Sequence, residues 1–404
     1  MPKRKQSKPL KTFKYKAKVS KTTAAHAEHW LWKCRQLYNL ALEQRIEAFR
    51  RCGVSLSTFD QNNELPDFKK TFPEFAAVGS QVLQNVIARL DRAYDSFFDR
   101  LKAGKGKAGF PRFKSADRYH SFTLSQSGWK LDGRYLKITG IGIFKLHLSR
   151  PIAGRIKTIT VKRDSCGDWW VTFACEDVPP RSWEQPAKEK VGIDVGLKHF
   201  CVDSDPDSQP IANPKFYHQA QAKLRRQQRK QARRQKGSKR RKKARVLTAK
   251  SHRRIRDLRL DFLHKTSTAY VERYREIHVE DLKVANMVKN RHLSKAISDA
   301  GWSTFFELLT YKAADAGRKL IKVNPRGTSQ KCSNPKCGEI VPKTLAERIH
   351  SCKHCGLSIC RDKNASNNIE QAEPAIRAGQ ALANTIRPGQ GLQTLTERVA
   401  ATVV

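Results

Sequence analysis

Long apolar runs and acidic residues are both scarce in this 404-residue sequence. No stretch of about 18 apolar residues occurs, so we expect no membrane-spanning helix. The N-terminus shows no apolar segment, so we expect no secretory signal. Asp and Glu number 37 against 80 Lys and Arg, which gives a formal net charge of +43. Such a basic chain is expected to bind a polyanion: nucleic acid, a membrane surface or an acidic protein.

The composition is nevertheless that of a folded protein. Apolar residues make up 39% and aromatic residues 8% of the chain, which is enough for hydrophobic cores. The length predicts two or three domains. Five of the ten cysteines fall between Cys332 and Cys360. In a chain without a secretion signal, clustered cysteines indicate metal ligands rather than disulfides.

The first half of the chain alternates between strand and helix patterns. Apolar side chains alternate along residues 11–19, which predicts a strand with a basic outer face, with a solvated arm as the alternative. Two helical stripes follow within 21–111, and their residues are Leu31, Cys34, Tyr38, Ala41 and Leu42 in the first and Val82, Val86, Leu90, Ala93, Phe97 and Leu101 in the second. Residues 110–114 then mix aromatic and basic side chains, which suit base stacking and phosphate binding but also occur as ordinary loop anchors. Several short strands between 122 and 176 predict a small antiparallel barrel.

After a proline-rich linker at 179–186, strand and helix patterns alternate, which predicts an α/β sheet. The predicted strands are 190–195, 199–203, 275–280 and 319–323. Residues 221–256 contain eighteen Lys and Arg and no acid. Like charges four residues apart weaken a helix, so we expect polyphosphate to order this segment. A solvated tail explains it poorly, because it lies mid-chain between two core segments. A helical stripe is then predicted on Ile255, Leu258, Phe262, Thr266 and Ala269.

Four cysteines have the spacing of a closed zinc site. Cys332 and Cys337 are separated by four residues, and Cys352 and Cys355 by two. A glycine follows each pair and lets the chain turn around a metal. Four thiolates would complete a tetrahedral structural site. The first pair is wider than usual, so His350, His354 and Cys360 remain alternative ligands.

Three carboxylates mark a second candidate metal site. Asp194 lies on a predicted strand, on the same face as Gly192 and Gly196, whose small size leaves room beside it. Glu280 ends another strand, and Asp362 begins a predicted helix. Each has an ordinary alternative: a turn residue, a surface charge and a helix cap. Strand ends of one sheet converge, so together they favour a site for divalent cations. Cations held by carboxylates and facing a phosphodiester are the parts of a two-metal nuclease.

Several motifs, in this order, resemble the TnpB family of insertion-sequence-encoded proteins, which are related to type V CRISPR effectors. They cover nearly the whole chain to about residue 370, and they are the Tyr38-Asn39 helix, Phe110-Pro-Arg-Phe113, Val191-Gly-Ile-Asp-Val-Gly196, Val279-Glu-Asp-Leu282, the segment from Thr328-Ser-Gln-Lys-Cys332 through Cys355-Gly356, and Arg361-Asp-Lys-Asn-Ala365. The chain departs from the family in its wide first cysteine pair and in Cys360, where an acidic residue is common.

The resemblance implies a multidomain α/β fold. It implies a ribonuclease-H-like (RuvC) nuclease domain with an inserted zinc ribbon, and a β-barrel wedge domain with a helical insertion. The expected limits are 1–20 and 112–180 for the wedge, 21–111 for the helical recognition insertion, 188–331 and 356–375 for the nuclease domain, 332–355 for the zinc ribbon, and 376–404 for a C-terminal tail.

The resemblance also implies RNA-guided cleavage of double-stranded DNA. The guide RNA would come from the transposon end, and the expected catalytic triad is Asp194, Glu280 and Asp362 with Mg²⁺ or Mn²⁺. The zinc ligands would be Cys332, Cys337, Cys352 and Cys355. We expect a monomer in the prokaryotic cytoplasm, associated with the nucleoid. The basic side chains that we expect to contact nucleic acid are Lys14, Arg112, Arg225, Arg229, Arg233, Arg240 and Arg326.

Three other functions deserve comparison. A guide-dependent DNA-binding regulator of the same ancestry would be expected to lack a triad carboxylate, whereas all three are present. A strand-joining transposase, or an accessory protein to one, would need a nucleophilic Tyr near a His pair, and none is evident in the sequence. Sugar-kinase-like ATPases share a Gly-Ile-Asp-Val-Gly motif, but that function leaves the cysteines and the basic segment unexplained.

Overall fold

The computed structural model describes residues 10–104, 108–344 and 347–374. The predicted C-terminal tail at 376–404 and the first nine residues of the predicted wedge lie outside the described residues. The chain divides into two compact units whose limits meet at Pro179 and Pro180. In the part of the chain that is described, no helix combines the length and apolarity needed to cross a bilayer.

Seven strands of the first unit form one antiparallel sheet in the order β2-β6-β7-β1-β5-β4-β3. The N-terminal strand β1 is central, because it pairs with both β5 and β7. Phe13 and Tyr15 are buried while Lys14 and Lys16 are exposed, which confirms the predicted strand with a basic face. The strands are β1 (Lys11–Val19), β2 (Ser121–Leu124), β3 (Trp129–Asp132), β4 (Tyr135–Ile138), β5 (Gly142–Leu146), β6 (Arg155–Arg163) and β7 (Trp169–Glu176).

Four helices lie between β1 and β2 in the sequence: α1 (Lys21–Cys52), α2 (Thr58–Asn63), α3 (Leu65–Thr71) and α4 (Ser80–Lys102). The Ser20 hydroxyl caps α1 by accepting the Thr23 N–H, and Gly53 ends this helix in the left-handed conformation. The predicted stripes of α1 and α4 are buried from Leu31 to Leu42 and from Val82 to Leu90. Leu101, the last residue predicted for the α4 stripe, is 52% exposed.

The second unit is built on a five-stranded mixed sheet in the order β10-β9-β8-β11-β12. Strands β8, β11 and β12 are parallel to one another, and β9 returns antiparallel to β8. This arrangement confirms the α/β character predicted from the alternating patterns. The strands are β8 (Lys188–Val195), β9 (His199–Asp203), β10 (Ile211–Ala212), β11 (Tyr274–Glu280) and β12 (Lys319–Val323), and a separate hairpin comprises β13 (Ile349–Ser351) and β14 (Ser358–Cys360).

The helices of the second unit are α5 (Phe216–Ala232), α6 (Lys239–Arg273), α7 (Val284–Met287), α8 (Ser294–Ala300), α9 (Trp302–Asp315) and α10 (Arg361–Gln371). The basic segment 221–256 falls within the helical pair α5 and α6. The stripe predicted for α6 was partly wrong, since Leu258 is 43% exposed. Leu263, Tyr270 and Val271 instead face the core, because α9 and the sheet pack on that side.

Candidate functional site

Asp194 and Glu280 lie on adjacent strands and on the same face of the second sheet. Val279 of β11 pairs with Ile193 of β8, and the two carboxylates are the next residue along each parallel strand. Neighbouring strands lie about 4.8 Å apart, so the two side chains leave the sheet side by side. Both are half-buried.

Helix α10 covers this face of the sheet because Gly192 has no side chain. A β-carbon on Gly192 would lie 2.1 Å from the carbonyl oxygen of Ser366 and 2.4 Å from the amide nitrogen of Glu370. The sequence argument gave Gly192 the role of leaving room beside Asp194. The structure shows that a helix backbone fills that room.

The close approach of α10 brings Asp362 near Asp194. Asp362 precedes Ser366 by about one turn, or roughly 6 Å along the helix. Asp194 lies two residues from Gly192, a similar distance along its strand. Asp362 is the second residue of α10, and Cys360 occupies the N-cap position. The ordinary alternative of Asp362 as the helix cap is therefore wrong.

The electrostatics of Asp194 record this convergence. Burial, the Glu280 carboxylate and the Asp362 carboxylate together hold the pKa of Asp194 well above its usual value, and Arg361 opposes them. Burial also raises the pKa of Glu280, against a hydrogen bond from Thr328 that lowers it. Three acids at this site repel one another, so the pocket favours either a proton or a cation.

Glu280 is oriented by a residue that sequence reasoning missed. The Thr328 hydroxyl donates a hydrogen bond to the Glu280 carboxylate, with Oγ1 2.6 Å from Oε1. Thr328 begins the segment 328–333 that leads into the cysteines, and it was quoted above only as part of a family motif. A single side-chain hydrogen bond leaves no periodic signal in a sequence, so its role could not be predicted.

Two buried asparagines of α10 hold the segment 328–333 in place. The Asn364 side chain accepts the Ser333 N–H at 2.9 Å and donates to the Lys331 carbonyl at 2.7 Å. The Asn368 amide donates to the carbonyls of Thr328 and Lys331 at 2.8 and 2.6 Å. The helix that carries Asp362 thus also positions the hydroxyl that orients Glu280. The motif around Asp362 contained Asn364, but sequence reasoning assigned it no role.

Lys363 fixes α10 to the sheet on its other side. Its ammonium group donates to the carbonyl oxygens of Asp203 and Asp205, at 2.9 and 2.8 Å. The lysine beside Asp362 therefore binds backbone carbonyls at the end of β9 and just after it. Together with the asparagines, it holds the start of α10 at a defined position.

The four predicted cysteine ligands form a compact cluster. Among the described residues, they alone form a group of three or more His, Cys, Asp or Glu with ligand atoms within 4.8 Å of one another. Sulfur–sulfur distances are 3.5 Å for Cys332 and Cys355 and 3.6 Å for Cys337 and Cys352. Zinc–sulfur bonds of about 2.3 Å at tetrahedral angles require about 3.8 Å. The alternative ligands His350, His354 and Cys360 lie outside this cluster.

Backbone hydrogen bonds favour the thiolate form of the second cysteine pair, Cys352 and Cys355. The N–H of Leu357 is the main cause that lowers the pKa of Cys355 to about 7. Burial raises the pKa of Cys332 to about 12, so the four thiols do not ionise together unaided. Gly338 and Gly356 have φ values of +64° and +74°, which confirms that each cysteine pair is followed by a turn suited to glycine.

The basic residues predicted to bind nucleic acid are all exposed. Arg225 and Arg229 of α5, with Arg233 directly after its end, line a cleft of about 760 Å³, and Arg240 is exposed on α6. Arg326 is exposed after β12. In the first unit, Lys14 lies over the ring of Trp170 at 4.8 Å from its centroid, and Arg112 lines a smaller pocket.

Comparison with known proteins gives the family. Residues 172–291 match the family OrfB_IS605, described as "Probable transposase", and residues 302–369 match "Cas12f1-like, TNB domain". A protein of Streptomyces pristinaespiralis named "Putative RNA-guided DNA endonuclease" is 34% identical over 387 residues, covering 94% of this chain and 92% of that protein. The chain therefore belongs to the TnpB family.

Two further similarities agree with this assignment. An Escherichia coli K12 protein named "Putative RNA-guided DNA endonuclease InsQ" is 28% identical, covering 98% of this chain and 100% of that protein. The cryo-EM structure of a Cas12f1–sgRNA–target DNA complex has a TM-score of 0.53 at 14% identity, covering 88% of this chain and 84% of that one. This structural likeness shows a shared mixed α/β fold.

Proposed function

We propose that this protein is an RNA-guided DNA endonuclease of an insertion sequence, and that it hydrolyses phosphodiester bonds at Asp194, Glu280 and Asp362. The observation that carries the proposal is the placement of Asp194 and Glu280 side by side on paired strands, with the helix of Asp362 packed on Gly192, two residues from Asp194. The raised pKa of Asp194, which arises from burial and from the other two carboxylates, agrees with this placement. Acids brought together in a chain of net charge +43 are poorly suited to binding DNA directly. They are well suited to holding cations against it.

The three carboxylates fit divalent cations that prefer oxygen ligands. All the donors are hard oxygens, as Mg²⁺ and Mn²⁺ prefer. Their ligand atoms do not all lie within 4.8 Å of one another. This spacing is wider than a closed site for one ion requires, and we infer that Asp194, Glu280 and Asp362 would together hold more than one divalent cation.

Residues of the chain itself set up this centre. Bound divalent ions would activate a water molecule and stabilise the leaving 3′ oxygen. Thr328 orients the Glu280 carboxylate, and Asn364, Asn368 and Lys363 fix the helix that carries Asp362. Arg361 adds a positive charge beside Asp194 and Asp362. Arg326, exposed after β12, would bind a phosphate.

The exposed arginines of α5 support binding of a nucleic acid backbone. Arg225, Arg229 and Arg233 repeat every four residues along one side of the cleft, a spacing of about 6 Å. If guide pairing supplies sequence specificity, the protein needs contacts mainly to the phosphate backbone. Lys14, Arg112 and Arg240 would extend these contacts to guide RNA or its heteroduplex with DNA.

The cysteine cluster would hold a structural Zn²⁺. Its sulfur–sulfur distances lie close to the tetrahedral requirement, and four thiolates would leave no open coordination position. The surrounding segment has few apolar residues, so metal binding would supply much of its folding free energy. We infer that this segment is the zinc ribbon, inserted into a ribonuclease-H-like (RuvC) domain, and that the seven-stranded sheet is the wedge.

Co-purification and cleavage test the proposal. Protein expressed with its neighbouring locus should retain a discrete RNA, and the complex should cut a matching DNA duplex when Mg²⁺ is added. Asp194→Ala should abolish cutting and retain the RNA. Asp261→Ala, at an exposed position on α6, should cut like the parent.

Each outcome has a distinct meaning. RNA and target binding without cutting in the parent would indicate the guide-dependent regulator instead. Undiminished cutting by Asp194→Ala would overturn the assignment of the centre. Absence of any bound RNA would overturn the proposal that an RNA guides this protein to its target.

A further inference from the structure

The loop at 110–114 forms one side of a pocket in the first unit. The pocket has a volume of about 310 Å³ and lies between α1, the end of α4 and this loop. That volume is at the lower end of the range for small-ligand sites. It is large enough for one nucleotide and too small for a stretch of helix.

The loop is fixed at both ends rather than hanging free. The ring of Phe110 makes edge contacts with Tyr94 and Phe97, at centroid distances of 5.5 and 5.3 Å. At the other end, the Asn39 side chain accepts the Lys114 N–H at 2.8 Å and donates to the Lys114 carbonyl at 3.1 Å. A loop pinned in this way presents its middle residues in a defined orientation.

The middle of the loop offers an aromatic face beside cations. Phe113 is 52% exposed while lining the pocket, and Arg112 is exposed next to it. Four of the described lining residues are cationic and none is acidic; the cations are Arg100, Arg112, Lys114 and Arg118. Cations beside an accessible ring are the features that bind an unpaired nucleotide by stacking and phosphate contact.

The floor of the pocket is aromatic as well. Tyr38 of α1 is buried, and the Lys114 ammonium lies 5.4 Å from its ring centroid. Burial and the nearby Arg118 lower the pKa of Lys114, so a bound anion would relieve repulsion at this point.

We propose that this pocket binds one unstacked nucleotide of a single-stranded segment, with its base on Phe113 and its phosphates against Arg112 and Arg118. The inference rests on the proposed function only in that nucleic acid is the partner. Guide RNA and a DNA strand displaced by guide pairing both supply this chemistry. Either would be held at a fixed point of the first unit, whatever its sequence, because every base has a face that can stack.

Photo-crosslinking locates the nucleotide. The probe is an oligouridine of about ten nucleotides that carries 5-iodouridine, irradiated with the full-length protein in the absence of Mg²⁺. Mass spectrometry should find the crosslink in the peptide containing Phe113. A parallel oligodeoxyuridine distinguishes the sources: crosslinking of the ribose oligomer alone assigns guide RNA, and equal or stronger crosslinking of the deoxy oligomer assigns DNA.

Affinity measurements separate stacking from charge. The parent should bind oligouridine more tightly than the same oligomer with abasic sites. Phe113→Leu should reduce the ratio of these two affinities about tenfold. Phe59→Leu, at a ring 72% exposed on α2, is the matched control and should leave the ratio unchanged. Arg112→Ala should instead weaken both oligomers and lower the salt slope by about 0.7.

The proposal for this pocket would be overturned by a crosslink that maps outside 110–118. It would also be overturned if Phe113→Leu and the parent showed the same ratio of affinities for oligouridine and the abasic oligomer. Thermal unfolding of Phe113→Leu should match the parent, since its ring is exposed. No cleavage is measured, so failure of the pocket leaves the proposed nuclease centre untouched. A protein that binds RNA but does not cut DNA would leave the pocket assignment standing.

Discussion

Gly192 of β8 and Ser366 of α10 touch backbone to backbone, and this contact sets the position of α10, the helix that carries Asp362. If alanine replaced Gly192, its β-carbon would lie 2.1 Å from the Ser366 carbonyl oxygen. Since backbone atoms cannot swing aside as a flexible side chain can, α10 as a whole would have to move. The carboxylate at its first turn would move with it.

Gly192→Ala should therefore reduce both stability and cutting. Overpacking typically costs about 1–3 kcal/mol, and a displacement of about 1 Å at a catalytic group can lower the rate about a hundredfold. Thermal unfolding and single-turnover cleavage check the two effects. Gly79→Ala, where a β-carbon meets nothing within 4 Å, is the control. Normal cutting by Gly192→Ala would show that the position of α10 does not matter.

Removing the central negative charge should stabilise the metal-free protein. Burial, together with two neighbouring carboxylates, holds the pKa of Asp194 above its ordinary value. Asp194→Asn therefore removes the cost of a buried charge and its repulsion while keeping the shape of the side chain. We expect the melting temperature without divalent ions to rise by about 2–4 °C for each kcal/mol relieved, and cutting to be lost. Asp261→Asn should change neither. A lower melting temperature for Asp194→Asn would contradict the electrostatic account.

Thr328→Val should weaken the centre without unfolding it. The substitution removes the hydrogen bond to Glu280 and keeps a side chain of similar shape. Loss of such a supporting contact typically costs about 10- to 100-fold in metal affinity or activity. Cleavage rates measured against Mg²⁺ concentration should show a higher requirement. Thr328→Ser retains the hydroxyl and should recover most of the parent's rate, whereas equal defects in both variants would indicate a packing role.

The cysteine cluster predicts which thiols retain zinc. Cys352→Ser should lose the metal, measured as zinc per chain by atomic emission, and should lower solubility because the segment loses its folding energy. Cys360→Ser is a demanding control, since Cys360 is close in sequence but lies outside the cluster. Zinc loss in Cys360→Ser would mean that the ligand set is wrong.

A buried lysine predicts a pH dependence of stability. Lys312 of α9 donates hydrogen bonds to His264 and to two hydroxyls of α6, and burial lowers its pKa to about 8. The unfolded value is about 10.4, so between about pH 8 and pH 10 the unfolded state binds more protons. Stability from this group therefore rises with pH across that window.

Comparison with Lys312→Met isolates that contribution. The difference in unfolding free energy between parent and variant should change across the window, as measured by denaturant titration at several pH values. Lys295→Met, at an exposed lysine of α8, should show no such change. A pH-independent difference for Lys312→Met would contradict the lowered pKa.

Strand limits were the part of the fold that could be predicted best. Strand β1 (Lys11–Val19) was predicted to the residue from alternating apolar side chains, and the limits of β9 (His199–Asp203) and β12 (Lys319–Val323) also match their prediction. The buried face of α6 was predicted partly wrongly, because Leu258 is apolar but exposed in the structure. A helix rich in Lys and Arg gives a weak periodic signal, and packing decides which face is covered.

The site was predicted only as far as residue types allow. Cysteine spacing is typical of metal ligands, so the four sulfurs that the structure brings together were predicted. The acids were predicted from strand ends and the family motifs. Their supports were missed, since Thr328, Asn364 and Asn368 act through hydrogen bonds to partners distant in sequence.

The hydrogen bonds of Asn364 couple the two candidate metal sites. This one side chain joins the helix of Asp362 to Ser333, the residue after Cys332. If the proposed zinc holds the cysteine segment in place, a chain without zinc would lose this support for the helix that carries Asp362. Zinc would then act on the proposed cutting centre through a single asparagine, although it touches none of the three carboxylates.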